Sequence, residues 1–313
     1  MNLGLRKASI VMALVAAGCV AFPVRAQRDA VEGSFRRTLD VSGAVDLDVS
    51  TGSGAIEIRE GSSSRVEVFG TIRVGERDRG RARAEDIVRD IETNPPIEQT
   101  GSVIRIGRLV DYDRQRNISI SYDIVVPRNT KVRSRTGSGS LTITGLDGSL
   151  DLDTGSGRIE LMEIGGRVNA KTGSGSIDAE NVQGGLTAST GSGRISASLT
   201  GPGNVELTTG SGSILVSGVK GALRASSGSG RIEIDGEATG RWDVSAGSGS
   251  VSLRLPPNAA FDLSAHTGSG NISVDHPITV QGRIGSRRDI SGKVRGGGVS
   301  VDVRTSSGSI RIE

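Results

Sequence analysis

The chain is poor in the residues on which disulfide, metal and aromatic chemistry depends. Its 313 residues include one cysteine, two histidines and eight prolines, and only 2% of its side chains are aromatic. A single cysteine excludes an internal disulfide. The two histidines, His266 and His276, are too few for a histidine-rich metal centre, and we expect them at surface and turn positions. Stability must therefore come from a core of small aliphatic side chains.

The chain also lacks a strong net charge. It carries 38 basic and 35 acidic side chains, and three of the basic ones, Arg6, Lys7 and Arg25, lie within the first 26 residues. The rest of the chain therefore holds equal numbers of each sign. A balanced charge argues against a nucleic-acid partner, which would favour a basic surface.

Only one long apolar run is present, and it lies at the N-terminus. Two basic residues precede the run Ala8 to Ala17, and the small-residue sequence Val-Arg-Ala ends at Ala26. This pattern predicts an export signal over residues 1–26, removed by cleavage after Ala26. The alternative is a lipoprotein cut before Cys19, where the preceding Ala-Ala-Gly forms a weak lipobox. No other stretch is apolar and long enough to span a bilayer.

Glycine, in contrast, is abundant and periodic. Of the 47 glycines, 19 belong to a Thr-Gly-Ser-Gly motif, intact or with one change. From Thr136 onward the copies follow one another at intervals of 18, 18, 18, 19, 18, 19 and 21 residues, and a last interval of 38 is twice 19. A fixed period of this length is typical of a solenoid. The copies begin at Thr51, Thr136, Thr154, Thr172, Thr190, Thr209, Ser227, Ala246, Thr267 and Thr305.

Apolar residues recur at four fixed places around each motif. Around Thr190, for example, they are Leu186, Ala188, Ile195 and Ala197. Alternate positions of a strand face the same side, so each copy is flanked by two strands that bury one face each. Stacking the copies would join these positions into four apolar ladders.

These patterns predict an all-β fold, a right-handed parallel β-solenoid of 18–19-residue coils. Right-handedness follows from the strong preference of parallel crossovers. The motif lies where the chain turns a corner between two strands. We expect its glycines to serve the positive φ angles that such corners often need.

The region between about Ser63 and Pro127 departs from the repeat. Several short alternating stretches indicate strands, and the spacing of apolar residues over Arg81 to Glu92 predicts a short helix that stops at Asn94-Pro95-Pro96. We interpret this region as an excursion from the first coil, at Thr51, that caps the open end of the solenoid. The predicted organisation is a signal peptide over 1–26, a first coil with its cap over 27–130, and serial coils over 131–313.

Catalytic motifs are absent. The sequence contains no phosphate-binding glycine loop, no dinucleotide fingerprint and no nucleophile elbow. The Asp-x-Asp pairs Asp46/Asp48 and Asp151/Asp153 could hold calcium, but the calcium-binding solenoid pattern is missing. We therefore predict no catalytic residues, no cofactor and no metal.

Charged residues follow the repeat on its outward positions. Arginine follows the motif only in alternate coils, at Arg158, Arg194 and Arg231. Acidic residues lie within reach of these arginines. This arrangement is typical of a solvated face on which like charges do not stack. The acidic residues are Glu160, Asp178 and Glu233.

One group of charges is not balanced. Five basic residues, which we call the basic cluster, lie between Gly282 and Gly296 with only Asp289 against them. A solvated loop is one interpretation, and a site for an anionic surface polymer or lipid head group is the other. The basic cluster consists of Arg283, Arg287, Arg288, Lys293 and Arg295.

Together, the export signal, the first motif coil, the excursion, the Tyr-Asp-Ile-Val-Val-Pro stretch from Tyr122 to Pro127 and the serial coils resemble a known family. This is the bacterial extracytoplasmic β-strand-repeat family of candidate adhesins, described as a domain of unknown function. The resemblance extends from about Phe35 to Glu313. It implies a parallel β-solenoid at the cell envelope or surface, and it brings no catalytic residues.

The resulting expectation is a non-enzymatic, exported, adhesin-like scaffold or binding module of the cell envelope or surface. Its partner would be an envelope or surface polysaccharide or another envelope protein. The alternative is a polysaccharide-active enzyme, because β-helices often host lyases and hydrolases. Such an enzyme needs a groove with clustered carboxylates, whereas acids and bases are interspersed along this sequence.

Overall fold

The computed structural model describes residues 30–75, 80–107, 117–280 and 288–313. The predicted export signal and Cys19 lie outside these residues. Within them the chain forms strands and one helix, α1 (Arg81–Thr93), where the spacing predicts it. The strands are β1 (Ala30–Asp40), β2 (Asp46–Thr51), β3 (Ile56–Glu60), β4 (Arg65–Gly75), β5 (Ile97–Thr100), β6 (Val103–Ile106), β7 (Ile118–Val126), β8 (Lys131–Thr136), β9 (Leu141–Thr144), β10 (Leu150–Thr154), β11 (Ile159–Ile164), β12 (Val168–Thr172), β13 (Ile177–Val182), β14 (Leu186–Thr190), β15 (Ile195–Leu199), β16 (Val205–Thr209), β17 (Ile214–Lys220), β18 (Leu223–Ser229), β19 (Ile232–Glu237), β20 (Trp242–Ser248), β21 (Val251–Arg254), β22 (Phe261–Ser269), β23 (Ile272–Val274), β24 (Ile278–Thr279), β25 (Asp289–Val294), β26 (Val299–Ser307) and β27 (Ile310–Ile312).

The strands form two long sheets, which confirms the predicted all-β solenoid class. Sheet A has 13 strands in the order β1-β4-β7-β3-β9-β11-β13-β15-β17-β19-β21-β27-β23. Sheet B has 14 strands in the order β24-β25-β22-β26-β20-β18-β16-β14-β12-β10-β8-β2-β6-β5. Each motif corner carries the chain from a strand of sheet B to a strand of sheet A. The right-handed sense of the coils stays a prediction.

Neighbouring coils pair in parallel and in register. Leu186 of β14 lies opposite Val168 of β12 on one side and Val205 of β16 on the other. All four apolar ladders are buried between the sheets, except at Ile272 and Val274 of β23. These two are half-buried because β23 is the last strand of sheet A among the described residues, which place no further coil on its outer side.

A fifth apolar ladder follows sheet A and was not predicted. Its members lie at the end of the second strand of a coil or just after it. Before four of the five members, the residues Gly145, Glu163, Asn181 and Gly218 adopt positive φ, which reverses the alternation and turns the next side chain inward. The fifth, Leu199, continues the ordinary alternation of β15. The buried members are Leu146, Ile164, Val182, Leu199 and Val219.

The motif threonines are buried and form a hydrogen-bond ladder along the solenoid. The Thr154 hydroxyl donates to the Gly139 carbonyl of the previous coil at 3.0 Å and accepts from the Gly157 N–H of its own coil at 3.1 Å. Gly139 in turn donates its N–H to the Thr136 hydroxyl at 3.1 Å. The same pair of hydrogen bonds forms at Thr136, Thr172 and Thr190, so each of these threonines satisfies two backbone groups of the corner.

Positive φ is the wrong explanation for most of the motif glycines. Within the ten copies, only Gly249, Gly270 and Gly308 have a positive φ. The coils instead approach so closely at the corner that a Cβ built on Gly157 would overlap the Gly139 carbonyl oxygen. The glycines are required because backbone stacks directly on backbone.

The N-terminal excursion caps one end of the solenoid. β6 and β7 stack in parallel on β2 and β3, outside the first coil. β4 and β1 then extend sheet A with antiparallel pairing, and α1 packs against them with Ala84, Val88 and Ile91 buried. The helix packs on the apolar face of β1 and β4. In the coils, sheet B covers the corresponding face of sheet A.

The last coil of the sequence is not the last coil of the stack. β26 lies between β20 and β22 in sheet B, and β27 lies between β21 and β23 in sheet A. The coils at this end are therefore not stacked in the order of the sequence. Antiparallel β25 occupies the outer edge of β22, so the chain can complete the stack only by returning inward.

Candidate functional site

A groove of about 710 Å³ lies on the outer face of sheet A. It runs along the solenoid axis from the coil of Asp178 to that of Glu313. Neighbouring strands lie about 4.8 Å apart, so its length is on the order of 20 Å. Its volume is within the range of about 300–1,000 Å³ that is usual for ligand sites.

Small side chains form the floor of the groove. Ser196 and Ser198 point outward from β15, and Leu215 and Ser217 point outward from β17. Strand alternation positions them, since their neighbours Ala197 and Val216 are buried in the core. A serine hydroxyl both donates and accepts hydrogen bonds. The floor therefore offers hydroxyl groups on either side of one apolar contact.

Charged side chains line the groove on either side of β15 and β17. Five carboxylates and two guanidinium groups line it, so its charge is negative. Arg254 lies 3.8 Å from Asp235 and 3.7 Å from Glu313, so its positive charge partly compensates these two carboxylates. The carboxylates belong to Asp178, Glu180, Glu233, Asp235 and Glu313, and the guanidinium groups to Arg254 and Arg311.

Two of the three outward arginines, Arg158 and Arg231, pair with acids as the sequence indicated. Arg158 lies 3.2 Å from Glu160 and 3.8 Å from Asp178, and Arg231 lies 3.1 Å from Glu233. These pairs are exposed, so they contribute little to stability. They do hold two of the groove carboxylates, Asp178 and Glu233, next to positive charges.

The structure describes three of the five members of the basic cluster, and these lie along β25 and at its ends. Arg283 and Arg287 lie outside the described residues. Arg288 and Arg295 flank opposite ends of β25, and seven residues of extended chain separate them by roughly 20 Å. The Arg295 guanidinium donates to the Pro257 carbonyl at 2.9 Å. The described members therefore form a strip along β25 and its ends.

The histidines differ in their surroundings. His266 is exposed, as expected. His276 lies in a bend between β23 and β24, which agrees with the expected turn position, but its side chain is buried and its ring packs edge-on against Phe261, with ring centroids 5.7 Å apart. The segment after β23 folds over the end of the core and carries this side chain inward, which the adjacent Pro277 did not reveal.

No metal centre is evident in the described part of the chain, where no group of three or more histidine, cysteine, aspartate or glutamate side chains could hold an ion. Of the predicted aspartate pairs, Asp151 instead pairs with Arg133 at 3.3 Å and accepts a hydrogen bond from Asn169 at 2.9 Å. Over the same residues, no helix is long and apolar enough to cross a bilayer.

Comparison with known proteins identifies related folds. A family model described as Toastrack DUF4097 matches residues 45–313. The chain is similar to the solved structure of a candidate lipid-binding protein from Parabacteroides distasonis, with a TM-score of 0.50 and 16% identity over 90% of this chain and 97% of that chain. This likeness shows a shared fold.

Two further solved structures give lower TM-scores. A candidate adhesin from Bacteroides fragilis has a TM-score of 0.37 and 14% identity over 90% of this chain and 97% of that chain. A candidate cell adhesion protein from Clostridium sporogenes has a TM-score of 0.24 and 14% identity over 90% of this chain and 99% of that chain. No curated protein matches the chain.

Proposed function

This chain belongs to the Toastrack DUF4097 family, and we propose that it serves as an exported, non-enzymatic, adhesin-like binding module of the bacterial cell envelope or surface. The groove on sheet A is the observation that supports this function best. It is long, shallow and rich in hydroxyl groups, and the stacked coils hold its side chains on a rigid backbone.

A neutral linear polysaccharide fits the chemistry of the groove. The hydroxyl groups of Ser196, Ser198 and Ser217 can exchange hydrogen bonds with sugar hydroxyls, and the carboxylates on either side can accept them. Leu215 supplies an apolar contact for the face of a sugar ring. The excess of carboxylates would repel a polyanion from this surface.

Binding can be tested with a groove-filling variant. Ser198→Arg combined with Ser217→Arg places two long side chains on the floor. Ser189→Arg combined with Thr208→Arg adds the same side chains to the same two coils on sheet B, and is the matched control. On a glycan array, we expect the control to bind neutral polysaccharides like the wild type and the groove variant to lose at least tenfold in affinity. Equal binding by both variants would exclude the groove.

The same carboxylates favour a second candidate function, a polysaccharide-active enzyme. The structure brings Asp178, Glu233 and Asp235 into one groove, although the sequence intersperses them with basic residues. Each of the three lies within 3.8 Å of an arginine. Incubation with polysaccharides and analysis of chain length separates the two candidates, since only an enzyme shortens the polymer.

Export rests on the N-terminal sequence. Cleavage after Ala26 predicts a mature protein that begins at Gln27. The mass of the protein purified from its own cells tests this. A lipid-modified Cys19 would instead establish a membrane-anchored lipoprotein.

The basic cluster is a second proposed surface, for an anionic polymer. Lys293 and Arg295 lie on the exposed face of β25 and just beyond its end, away from the groove on sheet A. A binding module with both surfaces would contact neutral and anionic polymers at different places.

A further inference from the structure

The C-terminal coil, β26 with β27, is bound between two other coils. Val301 lies opposite Trp242 on one side and Leu263 on the other, in parallel register. The hydrogen-bond ladder follows the same spatial order, because Thr305 donates to the Gly249 carbonyl and Thr267 donates to the Gly308 carbonyl. The C-terminal coil therefore fills a slot, one coil wide, between the coil of β20 and the coil of β22.

The sequence does not require this slot to exist. Trp242 and Leu263 occupy the same ladder position of their respective coils, so β20 and β22 could pair directly with the core unchanged. The interval of 21 residues between their motifs is close to the regular period. The coil of β22 could thus close onto the coil of β20 if the C-terminal coil left.

A displaced C-terminal coil has no equivalent place further along sheet B of its own chain. Antiparallel β25 occupies the outer edge of β22 from Phe261 to His266. Both strands of the C-terminal coil carry apolar ladder residues that need parallel coils on either side. The surface that matches them is the slot between the same two coils of a second copy.

The connection to the C-terminal coil can act as a hinge. Gly296, Gly297 and Gly298 link β25 to β26 and turn around the start of β22. Gly296 and Gly297 have positive φ. Three consecutive glycines can extend without steric cost and span about 10 Å. Short hinges of this kind are where protomers exchange identical elements.

We propose that the C-terminal coil exchanges between two copies of this chain and forms a reciprocally exchanged dimer. The ladder contacts of the C-terminal coil then form between two chains instead of within one. The same holds for the ion pair between Arg241 and Asp302. A tethered coil competes at an effective concentration on the order of millimolar. The monomer therefore predominates in dilute solution, and the exchanged dimer accumulates at high protein concentration.

A disulfide that holds the C-terminal coil in its own slot tests the exchange. Ser248→Cys with Ser307→Cys joins exposed, directly paired residues of β20 and β26. Ser229→Cys with Ser248→Cys joins β18 to β20 at the same corner position and is the matched control. Paired strands lie close enough for a disulfide. Both variants carry Cys19→Ser, so no other thiol is present.

Two differently tagged copies are mixed at high concentration, warmed to below the melting temperature and analysed by native mass spectrometry. We expect mixed dimers from the wild type and from the control disulfide, and none from the disulfide that joins β26 to β20. Reduction of that disulfide should restore them, which also establishes that the variant is folded. Mixed dimers from the oxidised β20–β26 variant, or none from the wild type after a week, would overturn the proposal.

Discussion

Arg241 and Asp302 are 61 residues apart in sequence and form a 2.8 Å ion pair across the outer face of sheet B. Asp302 is nearly buried, with 12% of its side chain exposed, and also accepts a hydrogen bond from the Ser300 hydroxyl at 3.0 Å. Arg241 directly precedes β20, and Asp302 is part of β26. The pair therefore fixes the C-terminal coil to the coil beside it.

Removing one partner of this pair should destabilise the C-terminal end. Arg241→Ser leaves a nearly buried carboxylate with weaker compensation, and we expect a loss of about 1 to 2 kcal/mol in the free energy of unfolding. Arg231→Ser breaks an exposed pair with Glu233 and should cost well under 1 kcal/mol. Chemical denaturation of both variants measures the difference, and equal losses would contradict the structural role of Asp302.

The core assignment predicts opposite outcomes for two adjacent residues. Ile195 is fully buried, so Ile195→Asp places an unpaired charge between two coils and should cost several kcal/mol. Arg194 is exposed, and Arg194→Ser should cost well under 1 kcal/mol. Thermal melts compare the two variants. Similar melting temperatures would mean that the ladder is assigned to the wrong face.

Backbone stacking at the corner predicts that glycines at the same motif position differ in how well they tolerate substitution by alanine. A Cβ on Gly155 would overlap the Gly137 carbonyl oxygen, whereas a Cβ on Gly52, in the same motif position of the first coil, meets no atom within 4 Å. We expect Gly155→Ala to cost at least about 2 kcal/mol and Gly52→Ala to change stability by less than about 0.5 kcal/mol. Equal tolerance, measured by urea denaturation, would contradict close stacking as the reason for the motif.

Tyr122 predicts a pH dependence at alkaline pH. Its hydroxyl is buried and has no hydrogen-bond partner among the described residues, and burial raises the pKa of Tyr122 above its ordinary value near 10. Above that pH the unfolded chain loses the phenolic proton and the folded chain keeps it, so the free energy of unfolding falls as pH rises. Tyr122→Phe removes the orphaned hydroxyl.

We expect the Tyr122→Phe variant to be at least as stable as the wild type at pH 7, because an unpaired buried hydroxyl costs about 1 to 3 kcal/mol. Its stability should fall less steeply than that of the wild type between pH 9.5 and 11. Denaturant titrations across this range test both points. Parallel pH profiles would show that the hydroxyl is hydrated in the folded protein.

The basic cluster predicts weak, salt-dependent binding of an acidic polysaccharide. Changing all five of its residues to serine should abolish binding at low salt, because the local positive field is lost. Changing Arg158, Arg194 and Arg231 to serine should have little effect, since two of these three pair with acids. Titration at low and high salt compares the variants. Unchanged, salt-insensitive binding after the fivefold change would exclude the cluster.

The candidate groove could be predicted only in part. Strand alternation identified Asp178 and Glu233 as outward residues, and the arginine pattern identified their partners. It did not show that the small residues Ser198 and Ser217 create a depression between them. A depression depends on the sizes of side chains on several neighbouring strands at once, and those strands become neighbours only when the coils stack.

The sequence alone determined the structure of a single coil. A fixed interval, four apolar columns and a glycine corner can be recognised because each coil repeats the same local chemistry, and the burial of Leu186, Ala188, Ile195 and Ala197 follows from alternation. The fifth ladder was missed because it depends on single residues with positive φ, such as Glu163 and Asn181, which have no clear signature.

Only the tertiary structure decided the order in which coils stack. Every coil presents the same ladder positions, so Leu263 and Val301 are equally suitable partners for Trp242, and local sequence cannot choose between them. The choice is made by β25, which blocks the outer edge of β22 and leaves the C-terminal coil a place only inside. Contacts between residues far apart in sequence thus determine the stacking order, which the repeated local sequence does not specify.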